Sequence, residues 1–335
     1  MKTALKALGG LVLVLVLALG ALQGWAAWKN SSILGRTIET HTADFPVPFP
    51  LSEDEVATLT AELEADGMDA EAMAAVDLDS VALARALERG QHLVEARYGC
   101  ADCHGTDFGG GVMVDAAIMG TLLGPNLTTG EGSRTLEYTA ADWDRIVRHG
   151  VLPSGGPAVM PSIDFLRMSD QELSDIIAYI RAQPPVDEAV PGRTFGPLGR
   201  VLMATGQLGL SADIIPTHTA DHLPVPPPAE PTAAFGQHLA GVCTGCHTVS
   251  LAGGKIAGGD PSWAAAANLT PHEDGLAGWT FEQFAAVMVA GRKPDGTEVR
   301  APMTFVMPMG QNMTETELRA LWEYLQTVPA LATPE

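Results

Sequence analysis

The four cysteines of this 335-residue chain fall into two pairs, each followed at once by a histidine: Cys100-Ala-Asp-Cys103-His104 and Cys243-Thr-Gly-Cys246-His247. The spacing has a chemical reason. Two thiols three positions apart can each add to one vinyl group of a haem, and the adjacent histidine is then held on the proximal side of the iron, so Cys-X-X-Cys-His reads as c-type haem attachment. A four-thiolate zinc site would use both pairs without needing either histidine, and a thioredoxin-like site would use one pair inside a strand-and-helix pattern. A disulfide across two intervening residues closes almost no loop and stabilises little. The sequence predicts two haem c groups, bound through Cys100, Cys103, Cys243 and Cys246, with His104 and His247 on the irons.

Each iron then needs a second axial ligand. Met160 precedes Pro161 in the first half and sits in a loop ahead of a capped helix, whereas Met168 lies against that helix start. Met160 is the expected ligand. In the second half Met303, Met307, Met309 and Met313 crowd one loop. Spacing from Gly291 favours Met303, while the Met-Pro dipeptide and the downstream helix favour Met307, which is expected here with Met303 as the alternative. His149, His218, His222 and His272 would serve a bis-histidine site, but each reads more simply as a surface or loop histidine.

The elements that must position these residues repeat. Asn126-Leu127-Thr128 follows the first motif, then Trp143 seven residues before Gly150, then Met160-Pro161, then a segment at 169–183. Asn268-Leu269-Thr270 follows the second, then Phe284 seven residues before Gly291, then the methionine-rich loop, then a segment at 314–327. Ser169 with Glu172, and Thr314 with Glu317, have capping-box spacing, so both final segments read as helices. Stretches 81–98 and 232–242 have helical periodicity and would deliver the chain to each motif. The pattern is a duplicated module in which helices wrap one flat cofactor.

Both halves resemble class I cytochrome c domains, over roughly 88–185 and 232–330. The resemblance implies an all-α fold: a helix before Cys-X-X-Cys-His, a loop carrying the methionine ligand, and a C-terminal helix whose aromatic residue packs on the first helix. In detail the chain is similar to membrane-anchored dihaem cytochromes and to cytochrome subunits of bacterial periplasmic dehydrogenases, which usually carry three haems where this chain has two motifs. Such families imply electron transfer between a membrane or periplasmic donor and an acceptor, with redox proteins as partners. A competing class is a dihaem enzyme such as a peroxidase, in which one iron keeps an open position. Methionine candidates in both halves favour a carrier, because a ligand on each iron closes it to substrate.

Lys2 and Lys6 precede an apolar run at 7–28, long enough to cross a hydrocarbon core of about 30 Å. An uncleaved transmembrane anchor at 1–28 is expected, with Trp25 and Trp28 at the interface. A cleaved signal remains the other reading. Either places the bulk of the chain on the exported side of a bacterial inner membrane. Residues 29–87 read as a proline-bearing stalk (Pro46, Pro48, Pro50) followed by two acidic helices, 54–66 and 69–88, and 186–231 as a proline-rich strap between the domains. Forty acidic against nineteen basic residues give a formal charge of −21, which argues against nucleic acid and for a basic partner surface. Gly109-Gly110-Gly111 reads as a tight turn beside the haem.

Overall fold

Side-chain caps open many of the helices along this chain. The computed structural model describes residues 2–256, 259–260 and 262–334. Helix α1 (Lys2–Leu34) contains the apolar run. Ser52 and Glu55 form a capping box that opens α2 (Glu53–Ala65), and Asp69 caps the short α3 (Ala70–Ala74). Asp77 caps α4 (Leu78–His92) by accepting from the amides of Asp79 and Ser80. The acidic stretch is therefore divided differently from the expected pair of helices. Residues 69–88 are split by the Asp77 cap, and α4 runs on through a π-helical turn, Leu93–Tyr98, to the left-handed Gly99 (φ 54°).

The first half continues with α5 (Cys100–His104), a hairpin of β1 (Gly111–Ala116) and β2 (Gly120–Gly124), α6 (Ala140–His149), a 3-10 turn at Ser162–Phe165 and α7 (Asp170–Arg181). The strap supplies β3 (Thr194–Phe195), α8 (Pro197–Ala204) and α9 (Ser211–Ile214). The second half repeats the order with α10 (Ala233–Leu239), a 3-10 turn at Ala240–Cys243, α11 (Thr244–His247), α12 (Phe281–Ala290), a 3-10 turn at Met303–Val306, α13 (Met307–Asn312) and α14 (Glu315–Leu325). Among the described residues the fold is helical with one small antiparallel sheet, in the order β1-β2-β3. That sheet is an addition to the all-α expectation. Two features build it: β-branched Val112 and Val114 favour extended backbone, and Gly120 (φ 107°) allows a backbone approach to Thr194 that a Cβ would block at 2.2 Å.

In each half the first and last helices cross at a glycine. A Cβ on Gly90 of α4 would lie 2.2 Å from the Asp175 carbonyl oxygen and 2.7 Å from the Tyr179 Cβ. On Gly236 of α10 it would lie 1.8 Å from the Ala320 carbonyl oxygen and 2.7 Å from the Tyr324 Cβ. Both glycines let the backbones meet, and the C-terminal tyrosine of each half sits at that crossing. Two cores result, one around Leu93, Trp143, Leu173 and Ile177, the other around Phe235, Phe284, Leu318 and Leu321.

The segment after α1 does not stand free as a spacer. Ile38 N donates to Gly155 O (2.9 Å), Ser174 Oγ donates to Pro46 O (2.7 Å), and Phe45 is buried in the first core. The prolines need no amide partner, so an extended run can lie on the domain while Phe45 and Phe49 bury apolar surface. The strap is packed as well. Gln23 Nε2 and Asn30 Nδ2 of α1 donate to the Pro197 and Arg200 carbonyls of α8, and the amides of Asp170 and Gln171 in the first turn of α7 donate to the carbonyls of Leu223 and Pro224.

The halves face each other through a reciprocal contact. His92 on α4 bonds Glu317 of the second half (2.9 Å), and His238 on α10 bonds Glu172 of the first (2.8 Å). Each histidine lies two residues after the crossing glycine, and each glutamate belongs to a capping box. Arg97 lies between them, donating to Glu317 (2.6 Å) and Glu172 (2.9 Å) with its guanidinium over the Phe235 ring. Burial alone would raise both carboxyls, but His238 and Arg97 hold Glu172 below the usual range, and His92 and Arg97 hold Glu317 at about 2.

Candidate haem sites

Each motif winds through one helical turn, α5 in the first half and, from its N-cap Cys243, α11 in the second, so the second cysteine and the histidine follow the first cysteine around one turn. Burial pushes the Cys100 thiol up to about 12, with Cys103 adding to it, and pushes Cys243 to about 12, with Asp164 adding to it. These are uncharged thiols in an apolar setting. The two histidines are oriented identically. His104 Nδ1 donates to Pro125 O (2.9 Å) and His247 Nδ1 to Ala267 O (2.7 Å). That bond fixes the tautomer and leaves Nε2 as the free lone pair, while burial lowers the pKa of both rings and keeps them neutral. Neutral imidazole with a free Nε2 is the form that binds iron.

The carbonyls that receive these bonds are positioned by the Asn-Leu-Thr triplets. Asn126 Oδ1 accepts from Thr128 N and Oγ1, and its Nδ2 donates to Val186 O and Glu188 O beyond α7. Asn268 Oδ1 accepts from Thr270 N and Oγ1, and its Nδ2 donates to Leu331 O beyond α14. The triplet thus pins the chain after the last helix to the loop beside the histidine. Gly111 and Gly124 of the hairpin let that loop close on the motif, since a Cβ on either would lie within 2.4 Å of the Cys103 carbonyl oxygen. Gly110 N donates to His104 O (2.9 Å), the tight turn expected of the glycine run.

Cys100, Cys103, His104 and Met160 line one cleft in the first half, closed by Leu127, Trp143 and Ile176. Arg134 and Arg193 also line it, and neither forms an ion pair among the described residues. Arg193 has its pKa lowered by burial and by Arg134. This donor set fits a haem: thiols for the vinyl groups, a neutral imidazole, a thioether, apolar walls and two cations without an anion. Met168 is instead a core residue whose carbonyl accepts from Arg148 Nη1.

In the second half the structure separates the crowded methionines. Met313 packs in the core, and Met309 Sδ lies against Gly99, across the domain contact. Met307 begins α13, with Sδ and Cε 3.5 Å from the Cβ position of Gly291, whereas Met303 begins the preceding 3-10 turn. Gly310 packs on the Met288 carbonyl of α12, and Ser162 Oγ donates to the Ile146 carbonyl of α6. Pro161-Ser162 and Pro308-Met309-Gly310 therefore meet the same end of the corresponding helix, each just after a Met-Pro pair.

Of the four histidines expected at the surface or on loops, His149 departs from that reading, since it ends α6. His149 is fully buried, and His218 and His222 gather around it, away from the cleft that holds His104. His218, His222 and His272 all lie on loops, His272 near Asp274. The reason is tertiary: the strap that carries His218 and His222 folds over the end of α6.

The family model for cytochrome c matches residues 87–184 and 233–329. The chain is 29% identical over 261 residues to an alcohol dehydrogenase (quinone) cytochrome c subunit of Gluconacetobacter polyoxogenes, covering 70% of this chain and 54% of that protein. It is 26% identical over 281 residues to a gluconate 2-dehydrogenase cytochrome c subunit of Pantoea cypripedii (73% and 60%). It is 25% identical over 260 residues to a dihaem cytochrome c-type protein of Cereibacter sphaeroides (70% and 83%). The chain spans about half the length of the dehydrogenase subunits it matches.

Proposed function

Given that the chain belongs to the cytochrome c family, with two haem c groups and one-electron transfer as its work, we propose that Cys100/Cys103 and Cys243/Cys246 attach those haems and that His104, Met160, His247 and Met307 bind the irons. Haem supplies a one-electron iron couple, whose potential a histidine–methionine ligand pair raises. The protein's residues orient and shield it. Pro125 O and Ala267 O hold the imidazoles, the Asn-Leu-Thr triplets hold those carbonyls, and Arg134 with Arg193 would offer positive charge to the anionic propionates of the first haem. The observation that carries the ligand reading is the single cleft shared by Cys100, Cys103, His104 and Met160. A thioether already facing that cleft favours a carrier over a peroxidase.

We further propose that the chain serves as the cytochrome subunit of a membrane dehydrogenase, held by α1 with its haem halves on the exported, periplasmic face. Two relatives bear dehydrogenase-subunit names, and α1 is long and apolar enough to span. Purification in mild detergent with identification of co-purifying subunits tests the partner, and a dehydrogenase in the complex is expected. The mass of the mature chain should exceed the polypeptide by two haems that resist acid acetone, and Cys103→Ala or Cys246→Ala should each remove one. Extraction of both haems from the unaltered chain would sink the attachment proposal.

A further inference from the structure

Outside both haem sites, four side chains from three separate segments converge. His41 comes from the arm after α1, Asp144 and His149 from α6, and His222 from the strap, with one ligand atom of each within 4.8 Å of the others. His41 Nε2 lies 3.1 Å and His149 Nε2 3.8 Å from Asp144 Oδ2, and His222 Nε2 lies 3.1 Å from His149 Nε2. Four ligands at about 2.0–2.1 Å from one ion stand roughly 3.3 Å apart, the edge of a tetrahedron of that radius. The observed separations bracket that edge.

Hydrogen bonds behind the rings determine where the lone pairs point. His218 Nε2 donates to Ala212 O (3.1 Å), so its Nδ1 accepts from His149 Nδ1–H (3.3 Å), which leaves His149 Nε2 as a lone pair facing the cluster. His222 Nε2 stands 3.1 Å from that nitrogen, so a second ring nitrogen is turned toward the same point. His41 Nδ1 faces Asp221 (3.5 Å). Asp144 Oδ2 and His41 Nε2 are buried and neither has a hydrogen-bond partner, although only 3.1 Å separates them. Acceptors turned on one another in this way call for a cation at their centre.

We propose that His41, Asp144, His149 and His222 form a tetrahedral zinc site, a clasp that fastens the arm and the strap to α6. Three imidazoles and one carboxylate oxygen are a donor set that zinc accepts in this geometry. The surrounding charge suits a dication. Arg148 occupies Asp144 Oδ1 (2.7 Å) but is itself shared with Asp170 (2.8 Å), and Asp221 adds a further negative charge. Zinc has no redox chemistry, so the site's work is structural: it sets the arm below the membrane helix and the strap between the halves relative to Trp143, which lies one residue before Asp144 and lines the haem cleft.

The test uses the full-length haem-loaded chain in detergent. After treatment with a chelator, addition of one equivalent of Zn2+ and desalting, elemental analysis should find one zinc for every two irons, with no sulfur in the zinc shell by X-ray absorption. His41→Gln and His222→Ala should each retain less than a tenth of that zinc while keeping both covalent haems, the readout that the variants have folded. Added zinc should raise the melting temperature of the unaltered chain and leave that of His222→Ala unmoved. Zinc below a tenth per chain after incubation overturns the proposal, as does full retention by either variant. A sulfur-bearing zinc shell, or copper preferred at these ligands from an equimolar mixture with zinc, overturns the assignment in the same way.

Discussion

At the scale of the residue, the haem ligands differ in how far they could be read without a structure. Cysteine and histidine in Cys-X-X-Cys-His act within one helical turn, so the spacing itself encodes the chemistry. The choice between Met307 and Met303 depends on which helix end each meets, which no local spacing records. Met307→Ala should abolish the long-wavelength sulfur-to-iron band of the second haem and lower its potential, whereas Met303→Ala should leave both. Spectroscopy of the oxidised variants with a redox titration checks this, and the reverse result would move the ligand to Met303. His41, Asp144, His149 and His222 lay beyond sequence reasoning for the same reason. They are as much as 181 positions apart, and only the folding of the arm and strap over α6 brings them together.

At the scale of the element, capping boxes made the two C-terminal helices legible, and both begin at the expected Ser169 and Thr314 caps. The hairpin was not legible, because its strands are short and their pairing depends on glycines whose neighbours arrive from residues 103 and 194. Nor was the docking of the arm, which rests on Phe45 finding a core rather than on any periodicity. The helix crossings yield a firm expectation. Gly90→Ala or Gly236→Ala would gain about 1 kcal/mol of helix propensity but would press a methyl into a carbonyl oxygen at 2.2 or 1.8 Å. Overpacking of this kind costs about 1–3 kcal/mol or more, so each variant should melt lower, the Gly236 variant more so, as thermal unfolding of the haem-loaded chain would show.

For the whole molecule, the contact between halves should respond to acid. Glu317 is held at about 2 against an ordinary value of 4.5. A carboxyl depressed on folding stabilises fully above its unfolded pKa, and that contribution is lost as pH falls from about 4.5 toward 2. Melting temperature should therefore drop across this window in the unaltered chain and less steeply in Glu317→Gln. At neutral pH Glu317→Ala, which leaves Arg97 and His92 facing a gap, should cost on the order of 3 kcal/mol. The charge of −21 bears on a different contact. If a basic partner is steered by it, the rate of haem oxidation by that partner should fall as salt rises past about 0.1 M, where the screening length is about 10 Å. A rate indifferent to salt would point to an apolar dock. The reciprocity of His92 with Glu317 and of His238 with Glu172 also has an ancestral meaning. A lone module bearing that histidine on its first helix and that glutamate at the start of its last would present both halves of the bond on one face, and two free copies would close as a symmetric pair with neither half left over. Joining two such copies in one gene makes that pairing independent of how much protein the cell produces. It also frees each half to change on its own, as Arg97 shows by serving both glutamates from one side.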